Sequence, residues 1–177
     1  NLLVLLGCAQ QLTYWPQDIA AINAFLQDGG GLVVFVASGR GPQADLAGTF
    51  GAAAEEGAAK PLAAAPELKA EKIVGAAGIS LKLSQPDLWT VLMSDAKKAP
   101  VVVMRKVGKG RLLVLPRSLA GSRPDASDPI NAAWLSPLLV RVASGKSVDA
   151  SKPFMGRGLT PGDYVEKHEG LKLHYTD

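Results

Sequence analysis

A strand–helix–strand pattern in the first 37 residues constrains the fold of this chain more than any other feature. Leu2 to Leu6 form a continuous apolar run, which is typical of a strand covered on both faces. A helix is predicted from Pro16, and Gly29 and Gly30 end it because glycine accepts the left-handed conformation of a helix C-cap. A second apolar strand, GLVVFVA, follows directly. The segment therefore predicts a βαβ unit, whose two strands are parallel.

The rest of the chain offers weaker patterns. QADLAGTFG predicts a short helix, and residues 51–78, rich in Ala, Gly and Pro, predict a surface excursion. LKLS and WTVLM are short strand candidates, and the apolar runs on either side of VGKG predict a hairpin. Ile130, Trp134, Leu138 and Val142 are four residues apart and predict a helix, in which Pro137 introduces a kink or lies in the first turn.

Length and composition favour one globular domain. The chain has 177 residues, of which 47% are hydrophobic and 20% charged, which is enough apolar material for a core. The single cysteine, Cys8, excludes an internal disulfide and a cysteine-based zinc site. No apolar run approaches the roughly 18 residues of a membrane span. Because the chain starts at Asn1 in an apolar strand, we expect it to be a piece of a larger protein.

Several of these segments together resemble a known superfamily. "NLLVLLG…LT…IAAINAFLQDGGGLVVF", followed by "VGKGRLLVL" and "W…LL", resembles the class I glutamine amidotransferase-like superfamily, above all its ThuA-like, non-amidotransferase branches. The resemblance implies an α/β, flavodoxin-like three-layer sandwich with a mostly parallel sheet and a late antiparallel hairpin. It also implies an amidotransferase-like domain over residues 1–145 that lacks its first strand and helix. Residues 146–177 would be a linker and the start of a following segment, with LKLHY as its first strand.

The resemblance also implies where a nucleophile would stand. Active members carry cysteine in a G-x-C-x-G elbow after the strand, and the corresponding residues here are F-V-A-S-G, with Ala37 at the nucleophile position. Ser38 is one residue away, and a serine nucleophile also needs a base within hydrogen-bond reach. The two histidines, His168 and His174, lie in or beyond the predicted linker, and the His-x-Glu pair of the family is absent near residues 116–122. The predicted set of catalytic residues is therefore empty, with Ser38 and Cys8 as the candidates that remain open.

Cys8 follows the first predicted strand, near the position where related enzymes place oxyanion-binding backbone. A thiol there is reactive if a helix N-terminus or a cation lowers its pKa, and otherwise it is a small, half-buried core residue. We favour the core residue.

The SGRGPQ loop and Trp15 are the candidate ligand-binding residues. Gly39 and Gly41 allow backbone N–H groups to approach an anion, and Arg40 adds a positive charge. In open α/β sheets ligands bind beyond the carboxyl ends of the strands, where this loop belongs. The alternative is a glycine-eased turn into the next helix. Trp15 lies in a loop at the same expected edge, where it either presents a surface for a ligand or packs against its own helix.

Other classes of site have little support. Arg105, Lys106, Lys109 and Arg111 cluster about the predicted hairpin turn, but no aromatic residues interleave with them for base stacking, so we predict a charged, solvated edge hairpin and no nucleic-acid partner. Acidic residues are dispersed without metal-ligand spacing, so neither a metal nor a cofactor is predicted.

These observations favour a non-catalytic, structural or binding domain of a larger, exported bacterial protein. Its expected partners are neighbouring domains, a carbohydrate or another protein, and its export is implied only by the kind of protein that the resemblance suggests. One alternative is a hydrolase or sugar-processing enzyme of the same superfamily that uses Ser38 or Cys8. Another is an accessory domain to a catalytic domain beyond Asp177.

Overall fold

The described residues form eight strands and three helices. The computed structural model describes residues 1–5, 13–68, 77–120 and 129–144. The strands are β1 (Leu2–Leu5), β2 (Gly31–Val36), β3 (Ala52–Lys60), β4 (Leu62–Ala64), β5 (Ala77–Leu83), β6 (Trp89–Asp95), β7 (Pro100–Val107) and β8 (Gly110–Pro116). The helices are α1 (Pro16–Gln27), α2 (Pro42–Thr49) and α3 (Pro129–Ser144), and short 3₁₀ turns cover Pro66–Leu68, Pro86–Leu88 and Arg117–Ala120.

Six of the strands form one mixed sheet in the order β1-β2-β8-β7-β6-β4, and β3 pairs with β5 in a separate two-stranded sheet. The β1–β2 and β2–β8 pairs are parallel, whereas β8–β7, β7–β6, β6–β4 and β3–β5 are antiparallel. The predicted βαβ unit and the predicted hairpin at VGKG are confirmed. The expectation of a flavodoxin-like sandwich with a mostly parallel sheet is wrong, because four of the six strand pairs described are antiparallel.

The connections between strands explain the antiparallel pairing. Two residues, Gly108 and Lys109, join β7 to β8, and four residues join β6 to β7. A parallel crossover needs a dozen residues or more, so these connections permit only antiparallel neighbours. The β7–β8 hairpin also lies inside the sheet between β2 and β6, so the prediction of an edge hairpin is wrong.

The segment predicted as a surface excursion is also different from the expectation. Residues 52–60 and 62–64 form β3 and β4, although alanine and glycine have low strand propensity. Tertiary context explains them: Ala52 is fully buried against the core, and β4 pairs with β6 through Leu62, Ala63 and Ala64. Pro137 lies inside α3 rather than in its first turn.

Two apolar layers cover the two faces of the six-stranded sheet. On one face α1, α2 and the β3–β5 pair contribute Ile22, Leu26, Leu46, Ala47, Ile79 and Leu81. On the other face α3 contributes Trp134, Leu138 and Val142. β2 supplies both layers in alternation, with Leu32, Val34 and Val36 on the first and Val33 and Phe35 on the second. This alternation fixes the register of β2, since a slip of one residue would exchange the faces.

Candidate binding cleft at the carboxyl edge of the sheet

The carboxyl ends of β1, β2 and β8 lie at one edge of the sheet because these three strands run in the same direction. The loop of residues 37–41 follows β2 there, and the 3₁₀ turn that contains Ser118 follows β8. Together with β3 and β5 they enclose a cleft of about 320 Å³. Its polar side chains among the described residues are Ser38, Glu56 and Ser118. The volume of this cleft is in the lower part of the range of small-molecule pockets.

Ser38 is bonded within its own loop. Its hydroxyl donates a hydrogen bond to the Arg40 carbonyl at 2.6 Å, and the Arg40 N–H lies 3.4 Å from the same oxygen. Such a hydroxyl-to-backbone bond two residues along the chain is a common way of closing a turn. A nucleophilic serine must instead give its proton to a base, and a peptide carbonyl is not a base. Ala37, at the expected elbow position, is exposed and carries only a methyl group.

The glycines of this loop are required by its geometry. The Gly39 N–H donates to the Glu56 carboxylate at 2.8 Å, and a Cβ on Gly39 would lie 2.9 Å from the Glu56 Cγ. A side chain at position 39 would therefore require the Glu56 side chain, and to a smaller extent the β3 backbone, to shift. Gly41 has a φ of +100° and precedes α2 as its N-cap, a conformation that favours glycine. The Arg40 side chain is exposed at the tip of the loop. Binding of a ligand by Gly39, Arg40 and Gly41 stays a prediction.

Trp15 is exposed at the start of α1. Its side chain has 63% of its surface accessible, and its backbone N–H donates to the Asp18 carboxylate at 2.9 Å. The neighbouring Tyr14 side chain hydrogen-bonds to Gln43 of α2. Burial raises the pKa of Tyr14, the bond to Gln43 opposes that rise, and the nearby Asp18 carboxylate adds to it. The Tyr14–Gln43 bond holds the chain before α1 against the start of α2, so the two predicted binding segments share this edge.

The basic cluster predicted at the hairpin turn is divided. Lys106 and Lys109 are exposed, whereas Arg105 turns inward. The Arg105 Nη1 donates to the Phe50 carbonyl at 2.8 Å, and the guanidinium carbon lies 5.2 Å from the centre of the Trp89 ring. Arg105 therefore joins β7 to the end of α2 and stacks on its cross-strand neighbour on β6. Its role in the described part of the molecule is structural.

Sequence reasoning missed the acidic residues near the cleft. Glu56 lies in a segment that was predicted as a surface excursion, so no pattern placed it opposite the loop after β2. Asp95 is 4% exposed and lines a small pocket that adjoins the cleft and shares Gly57, Gly78 and Ile79 with it. Its carboxylate accepts the N–H groups of Lys97 at 2.8 Å and of Ala99 at 2.9 Å, which closes the β6–β7 turn.

Three predicted residues lie outside the described part of the chain: Cys8, His168 and His174. The predicted linker, residues 146–177, lies outside it as well. Among the residues that the structure does describe, no three His, Cys, Asp or Glu side chains are grouped so that they could hold a metal ion. In the same residues no helix has the length and apolar character needed to cross a membrane.

Comparisons with known proteins give a likeness in fold. No protein-family model matches the chain, and no curated protein is significantly similar to it. Among solved structures, the N-terminal domain of mmIFT52 is similar with a TM-score of 0.58 at 14% identity, over 78% of this chain and 76% of that one. A cytoplasmic protein of Salmonella typhimurium, STM3548, has a TM-score of 0.54 at 13% identity, over 75% of this chain and 63% of that one.

An exo-β-1,4-mannosidase from Opitutaceae bacterium strain TAV5 is also similar, with a TM-score of 0.51 at 15% identity. The match covers 81% of this chain but 25% of the mannosidase, so the chain spans about a quarter of that protein's length. At these identities the likeness concerns the fold alone.

Proposed function

We propose that this chain is a non-catalytic domain that binds a carbohydrate in the cleft at the carboxyl edge of its sheet. The observation that carries the proposal is the Ser38 hydroxyl, which donates to the Arg40 carbonyl, beside an alanine where the resembled enzymes have their nucleophile. The resemblance to the amidotransferase-like superfamily, and with it the placement of the domain in a larger exported bacterial protein, stays a prediction that rests on sequence motifs.

The chemistry of the cleft supports a neutral, hydroxyl-rich ligand. Ser38 and Ser118 offer hydroxyl groups that both donate and accept, and the Glu56 carboxylate accepts from sugar hydroxyls. One Glu56 oxygen is already bonded to the Gly39 N–H, which holds the carboxylate in place. A cleft of about 320 Å³ is at the small end of ligand pockets, which suits one or two sugar rings.

Trp15 supplies the apolar component that sugar binding needs. An exposed indole presents a flat apolar face on which the C–H side of a sugar ring packs. Its exposure of 63% is unusual for so large an apolar side chain. Trp15 is not among the residues that line the cleft, but the Tyr14–Gln43 bond holds it at the same edge of the sheet. The similarity in fold to part of an exo-β-1,4-mannosidase supports the choice of β-1,4-linked mannose oligomers as the first ligands to test.

The test is a calorimetric titration of the full chain with oligosaccharides of β-1,4-mannan, cellulose and xylan. We expect a dissociation constant in the micromolar to millimolar range, that is about −8 to −4 kcal/mol. Trp15→Ala should weaken binding at least about tenfold, as should Glu56→Gln, which keeps an oxygen for the Gly39 N–H but removes the charge. Leu88→Ala is the matched control, because Leu88 is also an exposed apolar residue, at 51%, but precedes β6 at the opposite edge of the sheet.

Three outcomes would contradict the proposal. The first is the absence of binding to every oligosaccharide, and the second is equal affinity in the Trp15 and Leu88 variants. The third is the appearance of hydrolysis products that Ser38→Ala abolishes, since that would favour an enzyme instead.

A further inference from the structure

The cleft at the carboxyl edge of the sheet adjoins a smaller pocket beside the buried carboxylate of Asp95. β6 runs in the same direction as β8, because each of them is antiparallel to β7, so Asp95 at the end of β6 lies at the edge that carries the cleft. The pocket has a volume of about 10 Å³ and shares Gly57, Gly78 and Ile79 with the cleft. A wide cavity and a narrow one therefore meet at these three residues.

An irregularity of the β3–β5 pair lies where the two cavities meet. Glu56 pairs with Ile79 and Lys60 pairs with Ala77, so three residues of β3 stand opposite the single residue Gly78 of β5. Such a bulge interrupts the ladder of backbone hydrogen bonds, and bulges are over-represented next to active sites. The bulge separates the two strands between the cleft and the pocket.

Gly57, in this bulge, borders open space. It is exposed, and a Cβ at this position would meet no atom within 4 Å, in contrast to Gly39, whose Cβ would lie 2.9 Å from the Glu56 Cγ. The φ of Gly57 also lies outside the left-handed region that favours glycine. Neither backbone conformation nor packing therefore requires glycine here, and the residue adds no side chain between the cleft and the pocket.

The size and chemistry of the pocket suit a single hydroxyl group. A volume of about 10 Å³ is close to the minimum for one water molecule, so a sugar ring does not enter. The Asp95 Oδ1 accepts the Lys97 and Ala99 N–H groups, which hold the carboxylate in place beside the pocket. An ionised carboxylate offers about four acceptor sites and no donor, so a hydroxyl group in the pocket donates its proton to Asp95 in a hydrogen bond.

We propose that the pocket is a subsite for the hydroxymethyl group of a hexose ring, by which the cleft selects hexose over pentose oligosaccharides. This inference rests on the proposed binding of a carbohydrate in the cleft. The other hydroxyl groups of a linked hexose are attached directly to its ring, whereas the hydroxymethyl oxygen lies one carbon further out. It alone extends from a ring in the cleft past Gly57 and Gly78 to the Asp95 carboxylate. Xylose has no hydroxymethyl group, so a xylan oligomer leaves the pocket unfilled.

An NMR titration of the full chain with mannotetraose, cellotetraose and xylotetraose tests the pocket separately from the cleft. The Gly39 amide, which donates to Glu56, reports on the cleft, and the Ala99 amide, which donates to Asp95, reports on the pocket. We expect at least one of the two hexose oligomers to shift both amide signals, and xylotetraose to shift the Gly39 signal alone. That hexose oligomer should also bind at least about tenfold more tightly than xylotetraose, since a site that hydrogen-bonds a hydroxyl group rejects an analogue without it.

The variant Gly57→Val places a side chain between the cleft and the pocket, with its Cβ in open space. We expect the hexose oligomer to bind this variant about tenfold more weakly than it binds wild type, and to shift the Gly39 signal but not the Ala99 signal. Ala53→Val is the matched control, because Ala53 is an exposed residue of the same strand and lines neither cavity. It should keep both shifts and the wild-type affinity.

An Ala99 signal that stays in place while a hexose oligomer shifts Gly39 would overturn the subsite and leave the proposed function standing. Equal affinities for xylotetraose and the tighter-binding hexose oligomer would overturn the subsite as well, and so would an Ala99 shift that persists in Gly57→Val. If none of the three oligosaccharides shifts the Gly39 signal, the proposed function itself is contradicted, and the subsite with it.

Discussion

Replacing Arg105 tests the inward conformation of this side chain most directly. The variant Arg105→Ala removes a charged hydrogen bond of 2.8 Å to the Phe50 carbonyl and the stacking of the guanidinium on Trp89 at 5.2 Å. A hydrogen bond to a charged group contributes about 1.5–3 kcal/mol, and a cation–π contact about 0.5–2 kcal/mol. Because Arg105 is half-buried, both terms fall in the lower half of these ranges. We expect the free energy of unfolding to fall by about 2–3 kcal/mol.

Equilibrium unfolding in urea measures this loss. With a slope of about 1–3 kcal/mol per molar urea, the midpoint should fall by about 0.7–3 M. Lys106→Ala is the control, because the neighbouring Lys106 is exposed and its loss should change stability by less than about 0.5 kcal/mol. Arg105→Lys keeps the charge but loses the planar fork, and it should recover less than half of the effect. Equal midpoints for Arg105→Ala and Lys106→Ala would refute the reasoning.

The other predictions concern packing, turn geometry and pH. Gly110→Ala should lower the free energy of unfolding by about 3 kcal/mol or more, because the added Cβ collides with backbone carbonyls before β2. Gly48→Ala in α2 meets open space and should raise the free energy of unfolding by about 0.5–1 kcal/mol. Thermal unfolding compares the two variants. Ser38→Ala should cost about 0.5–1.5 kcal/mol in the same assay through its lost turn bond, and a stabilised variant would contradict the structural role. The raised pKa of Tyr14 means that the folded state holds this proton more tightly, so its contribution is complete below pH 10 and is lost as the pH rises beyond that value. Between about pH 9 and about pH 11 the free energy of unfolding should therefore fall more in the wild type than in Tyr14→Phe. Urea titrations measure both pH profiles, and identical profiles would contradict this prediction.

The parts of the fold that the sequence predicts are those with strong local patterns. The βαβ unit follows from two apolar runs and a glycine-terminated helix, and the hairpin follows from the glycines of VGKG. The strands β3 and β4 were missed because they consist mainly of alanine. Their strand conformation comes from pairing with β5 and β6, which is a tertiary effect and leaves no periodic pattern in so small a set of side chains.

The sequence predicted where the loop after β2 lies but not which residues lie opposite it. The loop of residues 37–41 lies at the expected edge, but Glu56 reaches it from a strand that sequence reasoning did not identify. The inward direction of Arg105 could have been predicted, because residues two apart on a strand share a face. Val103 and Val107, on the same face of β7 as Arg105, are both buried in the core. Arg105 was instead predicted to be exposed because it is charged and lies close to the hairpin turn. No sequence pattern distinguishes a serine that bonds to its own loop, as Ser38 does, from an exposed, reactive serine.

Labelling of the full chain with a fluorophosphonate, located by mass spectrometry, tests the central claim that the turn after β2 holds no activated nucleophile. Ser118 is the internal comparison, because it lines the same cleft and is exposed. The structure predicts that Ser38 is labelled no faster than Ser118, since its proton is donated to the Arg40 carbonyl. Labelling of Ser38 that reaches one group per chain while Ser118 stays unmodified would contradict this account.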